Sequence, residues 1–173
     1  MHERTAHEAH AEPAEAELVL RPTVRVLLLD EADRLLLFSS QDESDGHTFW
    51  YPVGGGVEDG ETYEQAGTRE VAEETGLTGL VPRTEVWRRR KTGSMGGVAY
   101  LFHERYYLAR VPAFDISTDG FTENERTSIV GHHWWSLDEL ASTADRLIPD
   151  DLHPRLVDLL TDGAPAEPID LAP

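Results

Sequence analysis

The chain contains no cysteine. That excludes disulfide staples, thiolate nucleophiles and cysteine-held zinc. Lysine is nearly absent too: Lys91 is the single one among 15 basic residues. Against them stand 33 acidic residues, for a net charge of −18. An acidic protein repels polyanions at long range, which argues against nonspecific binding to DNA, RNA or acidic membranes. A small phosphorylated substrate stays open, because metal ions or a local basic patch override the global field. No apolar run approaches the ~20 residues that span a bilayer. The N-terminus lacks the apolar core of a signal peptide, so a cytoplasmic setting is expected.

What is present fits one domain. The 173 residues are 39% hydrophobic, with the apolar residues spread through the middle. Residues 1–17, rich in Ala, Glu and His, are expected to form a flexible tail, and His2, His7 and His10 to be solvated there. The domain is expected over 18–161. The proline-containing stretch 162–173 is expected to be a second flexible tail.

Between the tails, Leu18–Leu20 and the aliphatic Thr23–Leu29 read as strand. A turn at Asp30–Asp33 and a strand Arg34–Phe38 would complete a hairpin. Phe49–Tyr51 is a short strand before the glycines Gly54–Gly56. Glu61–Thr75 reads as a helix that Gly76 stops. Glu85–Lys91 and Val98–Val111 flank a Gly-rich turn as a second hairpin. Asp115–Arg126 reads as a polar loop and Ile129–Trp135 as the last strand. Ser136, with Glu139 three residues on, caps a helix from Leu137. A final helix is expected over about 150–160. This mixed order predicts an α/β fold with a mixed sheet.

One segment carries the chemistry. Gly55 is followed by five residues, Glu61, seven residues and then Arg69-Glu70-Val71-Ala72-Glu73-Glu74-Thr75-Gly76-Leu77. On a helix, Glu70, Glu73 and Glu74 project from one side at i, i+3 and i+4. Like charges so close are costly unless a cation compensates them, and a hard divalent ion prefers oxygen ligands.

The segment resembles the signature of the Nudix hydrolases, with all nine constrained positions matched over 23 residues. The resemblance implies a mixed β-sheet sandwiched between α-helices. It implies hydrolysis of a nucleoside diphosphate linked to another moiety, by water attack on a phosphorus. It implies Mg2+ or Mn2+ held by Glu70, Glu73, Glu74 and the Gly55 carbonyl. Arg69 would orient a glutamate of the cluster. Glu73 is the first choice to take the proton from water. Glu61, at the start of the helix, suits either a structural cap or a metal role.

Family members often recruit a further acid from a later loop. Glu123 and Glu125 are available, and Glu125 is preferred because the Ile129 strand follows it closely. Glu104 is another candidate. It shares a strand face with Tyr100, Phe102 and Tyr106, which is unusual for a carboxylate without a partner. His103 and Arg105 point the other way, so its partner must come from elsewhere.

Trp87-Arg88-Arg89-Arg90-Lys91 is the dense positive run. Arg88 and Arg90 share one strand face, and Trp87, Arg89 and Lys91 the other. One group could grip phosphates, and Trp87 could stack on a base; a surface strand balancing nearby acids is the competing reading. Trp50, Tyr51, Trp134 and Trp135 read as core aromatics. His132 and His133 read as ordinary sheet residues.

The expected partner is a small phosphorylated molecule, with no nucleic-acid polymer and no membrane; a homodimer stays open. Nucleoside triphosphates, modified nucleotides such as oxidised dGTP, ADP-ribose and other nucleotide sugars all remain. The alternative is a noncatalytic nucleotide-sensing module of the same fold. Such relatives commonly lose signature glutamates, and this chain keeps them all.

Overall fold

The computed structural model describes residues 18–42 and 45–173. The N-terminal stretch 1–17, with its three histidines, lies outside the described residues.

β1 (Val19–Leu29) runs parallel to β5 (Val98–Arg110), which pairs antiparallel with β4 (Thr84–Met95). β2 (Leu35–Gln41) pairs antiparallel with both β3 (Thr48–Pro52) and β6 (Ile129–Trp135). Helix α1 (Tyr63–Thr75) lies over one face of this mixed sheet. The short α3 (Leu137–Ser142) and α4 (Leu152–Asp162) cover the other. Between β6 and β5 in sequence comes α2 (Glu123–Ser128), and β7 (Arg146–Leu147) joins the sheet beside β3.

Alternation along β1 explains the layers. Leu27 and Leu29 enter the core under α4, with Leu152, Leu156 and Trp87. Val24, Val26 and Leu28 enter the core under α1, with Ala66, Val71 and Tyr107. A strand buried on both faces reads as a continuous aliphatic run. Gly67 keeps α1 close: a β-carbon there would press on Pro82 and stand 3.3 Å from Val26. Trp135 and Trp50 meet edge to face on the α4 side, 4.9 Å between centroids.

Four expectations about the fold need correction. β1 is continuous through Pro22. β1 and β2 meet at the single pair Leu29 and Leu35 rather than along a hairpin. β1 then bonds to the chain after β3: Val26 N–H donates to Val53 O at 2.8 Å, and Val24 N–H to Gly55 O at 2.9 Å. The physical reason lies in the Asp30 turn. Its carboxylate accepts the Ala32 and Arg34 N–H groups and the Arg34 guanidinium, closing a tight bend from which the strands diverge.

The stretch 115–126 is not all loop, because α2 occupies its end. The end of the chain does not hang loose. β8 (Ile169–Asp170) pairs parallel with β4 at Trp87 and Arg88, and Leu171 donates to Arg88 O at 2.7 Å. Leu171 is buried against the α4 core, which supplies the apolar gain that prolines alone do not.

Candidate active site

Two caps fix the phase of α1. Thr62 and Gln65 form a reciprocal capping box at its start. Gly76, at φ 78°, ends it with its N–H on Ala72 O. With that phase, Glu70 and Glu74, one turn apart, point into the glycine loop and are buried. Glu74 accepts the Gly54 N–H at 2.9 Å. Gly54 itself is at φ 141° and packs against the Val24 carbonyl, a conformation and a closeness open only to glycine.

Glu125 completes the cluster. Each of Glu70, Glu74 and Glu125 offers an oxygen within 4.8 Å of the others. Glu125 sits at the third position of α2, and one of its oxygens accepts both the N–H and the hydroxyl of Thr122, at 2.6 and 2.8 Å. The loop before α2 is docked on the end of α1. Ser117 N–H donates to Thr75 O at 3.0 Å, and Gly120 abuts the Glu73 backbone. Arg126 ties that loop down through the Phe121 and Asp119 carbonyls.

Glu73 stands apart from this trio. Its side chain is 35% exposed and reaches Arg69 at 3.4 Å. Arg69 is the hub. It holds Glu61 through two bonds of 2.9 Å, Glu70 at 2.8 Å and the Gly56 carbonyl at 3.0 Å. The guanidinium fork suits such divided binding. Glu61 is therefore occupied by Arg69, and that pairing holds its carboxyl down at about 2. The Gly55 carbonyl accepts the Val24 N–H, leaving one lone pair for another partner.

The electrostatics are those of a site short of positive charge. Burial pushes the Glu70 carboxyl up, against the pull of Arg69. Burial, then the neighbouring Glu70, pushes Glu74 well above its ordinary range, against the Gly54 N–H and Arg25. Three converging carboxylates, two of them on buried residues, form a hard-oxygen donor set of the kind that suits a divalent cation.

The basic run divides as strand alternation requires, but Trp87 is 1% exposed in the core, so it has no face for a base. It packs on Tyr106 instead. Arg88 pairs with Glu85 at 2.6 Å. Arg88 and Arg90 line a cavity of about 460 Å³ with His103, Arg105 and Asp170. Among the described residues, no ion pair joins either to the acidic cluster.

The partner of Glu104 comes from three strands. Glu104, 1% exposed, meets Arg89 at 2.9 Å, Lys91 at 3.7 Å and Arg25 at 4.0 Å, and accepts the Tyr106 hydroxyl at 2.8 Å. Burial opposes its ionisation, but Arg25, Lys91 and Arg89 outweigh this and hold its carboxyl low. Sequence reading missed Arg25. Its period-two alternation with Leu27 and Leu29 marks it as an inward charge on an otherwise apolar face. The Thr122-x-x-Glu125 pattern was likewise a readable cap for α2.

Over 69 residues, the chain is 41% identical to an RNA pyrophosphohydrolase of Caulobacter vibrioides, covering 39% of this chain. The chain spans 40% of the length of the curated relatives it matches. A MutT protein from Methanosarcina mazei Go1 superposes with a TM-score of 0.57 at 22% identity, over 82% of this chain and 95% of that one. An Ap4A hydrolase from C. elegans gives 0.57 at 18% identity, over 82% and 98%. At such identities these two report the fold. The NUDIX domain model matches residues 19–156, from β1 into α4, and takes in both the glycine loop and the capped helix whose carboxylates converge. On that match the chain belongs to the Nudix hydrolase family.

Proposed function

We propose that this protein is a metal-dependent pyrophosphohydrolase acting on a nucleoside diphosphate linked to a further group. The observation that carries this reading is the convergence of Glu70, Glu74 and Glu125 oxygens within 4.8 Å at a loop whose backbone can approach phosphate. Glu70, Glu74 and Glu125 would hold Mg2+ or Mn2+, with the free lone pair of Gly55 O as a further donor. Such a cation neutralises phosphate charge and lowers the pKa of bound water.

The chain's own residues do the rest. Arg69 holds Glu70 and Glu73 in place from one guanidinium. Glu73, the more exposed acid, is the proton acceptor for the attacking water. The glycines Gly54–Gly56 carry no side chains of their own, which leaves the loop backbone beside Glu70 free to meet the diphosphate. A sensor lacking catalysis finds no support in a site that retains every acid of the signature.

The substrate is small and phosphorylated; the net charge of −18 weighs against gripping a nucleic-acid polymer. No described helix is long and apolar enough to cross a membrane. A cytoplasmic setting, suited to a cysteine-free chain, is part of the proposal, and a homodimer remains compatible with it. The test is turnover across nucleoside triphosphates, oxidised dGTP, ADP-ribose, nucleotide sugars and a triphosphorylated RNA 5′ end, with Mg2+ or Mn2+, in oxygen-18 water. Metal-dependent release of labelled phosphate or nucleotide is expected. Tight nucleotide binding with no turnover would assign the chain to the sensors.

A further inference from the structure

Two arginines hold the glycine loop, and one of them lies outside the signature segment. Arg69 takes the Gly56 carbonyl at 3.0 Å. Arg25, on β1, takes the Pro52 and Gly54 carbonyls from one nitrogen, Nη1, at 3.3 and 3.2 Å. The backbone on either side of Arg25 takes the carbonyls in between. Val26 N–H meets Val53 O at 2.8 Å, and Val24 N–H meets Gly55 O at 2.9 Å. Every carbonyl from Pro52 to Gly56 thus has a donor, and all but the last are held from Val24–Val26. The Gly54–Gly55 peptide has its carbonyl on Arg25. The peptide before it has its N–H on Glu74 at 2.9 Å, and the peptide after it carries the Gly55 carbonyl. Glycines alone would leave these peptides free to turn.

Arg25 is itself held in place. Its Nε lies 4.0 Å from Glu104 Oε1, a buried oxygen with no hydrogen bond. The other Glu104 oxygen meets Arg89 Nε at 2.9 Å and accepts the Tyr106 hydroxyl at 2.8 Å. The Arg25 guanidinium lies 5.4 Å from the centre of the Tyr51 ring, whose hydroxyl bonds Ser40 at 2.9 Å. Burial opposes the Arg25 charge, but Glu104, Tyr106 and, across the glycine loop, Glu74 outweigh it. Leu27 and Leu29 follow Arg25 on the same strand face and are buried. An apolar side chain would continue that face at less cost than a guanidinium, unless its hydrogen bonds are put to use.

We infer that Arg25 is a positioning residue for the divalent-ion site: steered by Glu104, its guanidinium fixes the Gly54–Gly55 peptide, and through it Glu74 and the Gly55 carbonyl, in the arrangement that receives the cation. This rests on the metal-dependent hydrolase reading and adds to its site a residue from β1. Arg25 acts through the loop and touches neither cation nor substrate. Groups that orient metal ligands change affinity about 10- to 100-fold when they are lost.

The test is Mn2+ titration of the full-length protein by electron paramagnetic resonance, with turnover measured at low and at high Mn2+. Arg25→Met is expected to weaken Mn2+ binding at least about tenfold. Its turnover should fall at low Mn2+ and recover at high Mn2+, which a loosened fold would not do. Arg25→Lys, which keeps the charge but not the fork, is expected to recover part of the affinity. Glu104→Gln removes the anchor without touching the loop and is expected to weaken Mn2+ binding in the same direction. Lys91→Met takes a charge from beside Glu104 but no bond from the loop, and should stay within about twofold of the parent. Parental Mn2+ affinity in Arg25→Met overturns the inference; if that variant does not fold, parental affinity in both Arg25→Lys and Glu104→Gln does so. Equal weakening by Lys91→Met overturns it as well, by assigning the effect to net charge. So does a raised KM at parental Mn2+ affinity, since Arg25 would then be holding substrate. A parent that binds no Mn2+ overturns the ion site and the role of Arg25 together. A parent that binds Mn2+ but turns over no substrate counts against the hydrolase reading, and the Mn2+ affinities still decide the role of Arg25.

Discussion

The carboxylate of Glu70 fills the place where Gly55 would carry a β-carbon; any side chain there would collide with Glu70 Oε1 and Oε2. The glycine is thus the reason that a buried acid on α1 can reach the loop. Gly55→Ala is expected to displace Glu70 and lower kcat/KM by at least about 100-fold, comparable with the loss of a positioned charged group. Circular dichroism should show the fold retained. Near-parental activity would mean that Glu70 is not required where the structure puts it.

Arg69 makes one unit of Glu61, Glu70, Glu73 and the Gly56 carbonyl. A lysine retains the charge but not the fork. Arg69→Lys is expected to reduce kcat/KM about 10- to 100-fold, the scale of one or two charge-assisted bonds. Glu61→Gln is expected to do less, since Arg69 keeps its other partners. Steady-state kinetics on both variants decide the order.

Glu73 and Glu125 are expected to fail differently. Glu73→Gln should leave no more than a few percent of turnover, as for a lost general base, with divalent-ion binding largely kept. Glu125→Gln should weaken Mn2+ binding, because Glu125 stands in the oxygen trio and Glu73 does not. Mn2+ titration by electron paramagnetic resonance, paired with kcat, separates the roles. Identical profiles for the two variants would contradict the assignment.

Glu74 gives a pH dependence of stability with a defined sign. Its folded-state pKa lies above the ordinary 4.5, through burial and then Glu70. Below 4.5 both folded and unfolded chains hold the proton; above it the folded chain holds more. The metal-free protein should therefore lose stability as pH rises from 4.5 through the raised value. Glu70 acts in the same direction. A divalent ion needs the ionised acids, so its stabilising effect should grow over the same window. Melting temperature against pH, with and without Mg2+, checks both slopes.

The end of the chain should contribute measurably to stability. Leu171 is buried against the α4 core, and 169–171 bonds to the β4 edge. Leu171→Ala is expected to cost about 2 kcal/mol in urea unfolding, the lower part of the range for a buried leucine. An unchanged midpoint would show that β8 is dispensable.

Much of the site was legible locally. The i, i+3, i+4 spacing of glutamates, Gly76 as the helix stop and the Ser136–Glu139 cap depend on neighbours a turn or two away, and the structure has them. The opposite facing of Arg88 and Arg89 follows from strand alternation alone. What local pattern did not contain was which distant element each face meets. Trp87 looked available as a platform until its face joined the core formed with α4 and Leu171.

The sequence by itself determined the kind of chemistry, because three acids on a short helix beside glycines keep their character in any context that preserves the helix. It also determined the layered α/β architecture through its alternating apolar patterns. Tertiary structure alone decided that Glu125, rather than Glu73, joins Glu70 and Glu74, since a loop docked on the end of α1 carries it there. It alone gathered Arg25, Arg89 and Lys91 around Glu104, from strands far apart in the chain. Electrostatic energy depends on distance through space, and only the sheet's strand order sets those distances.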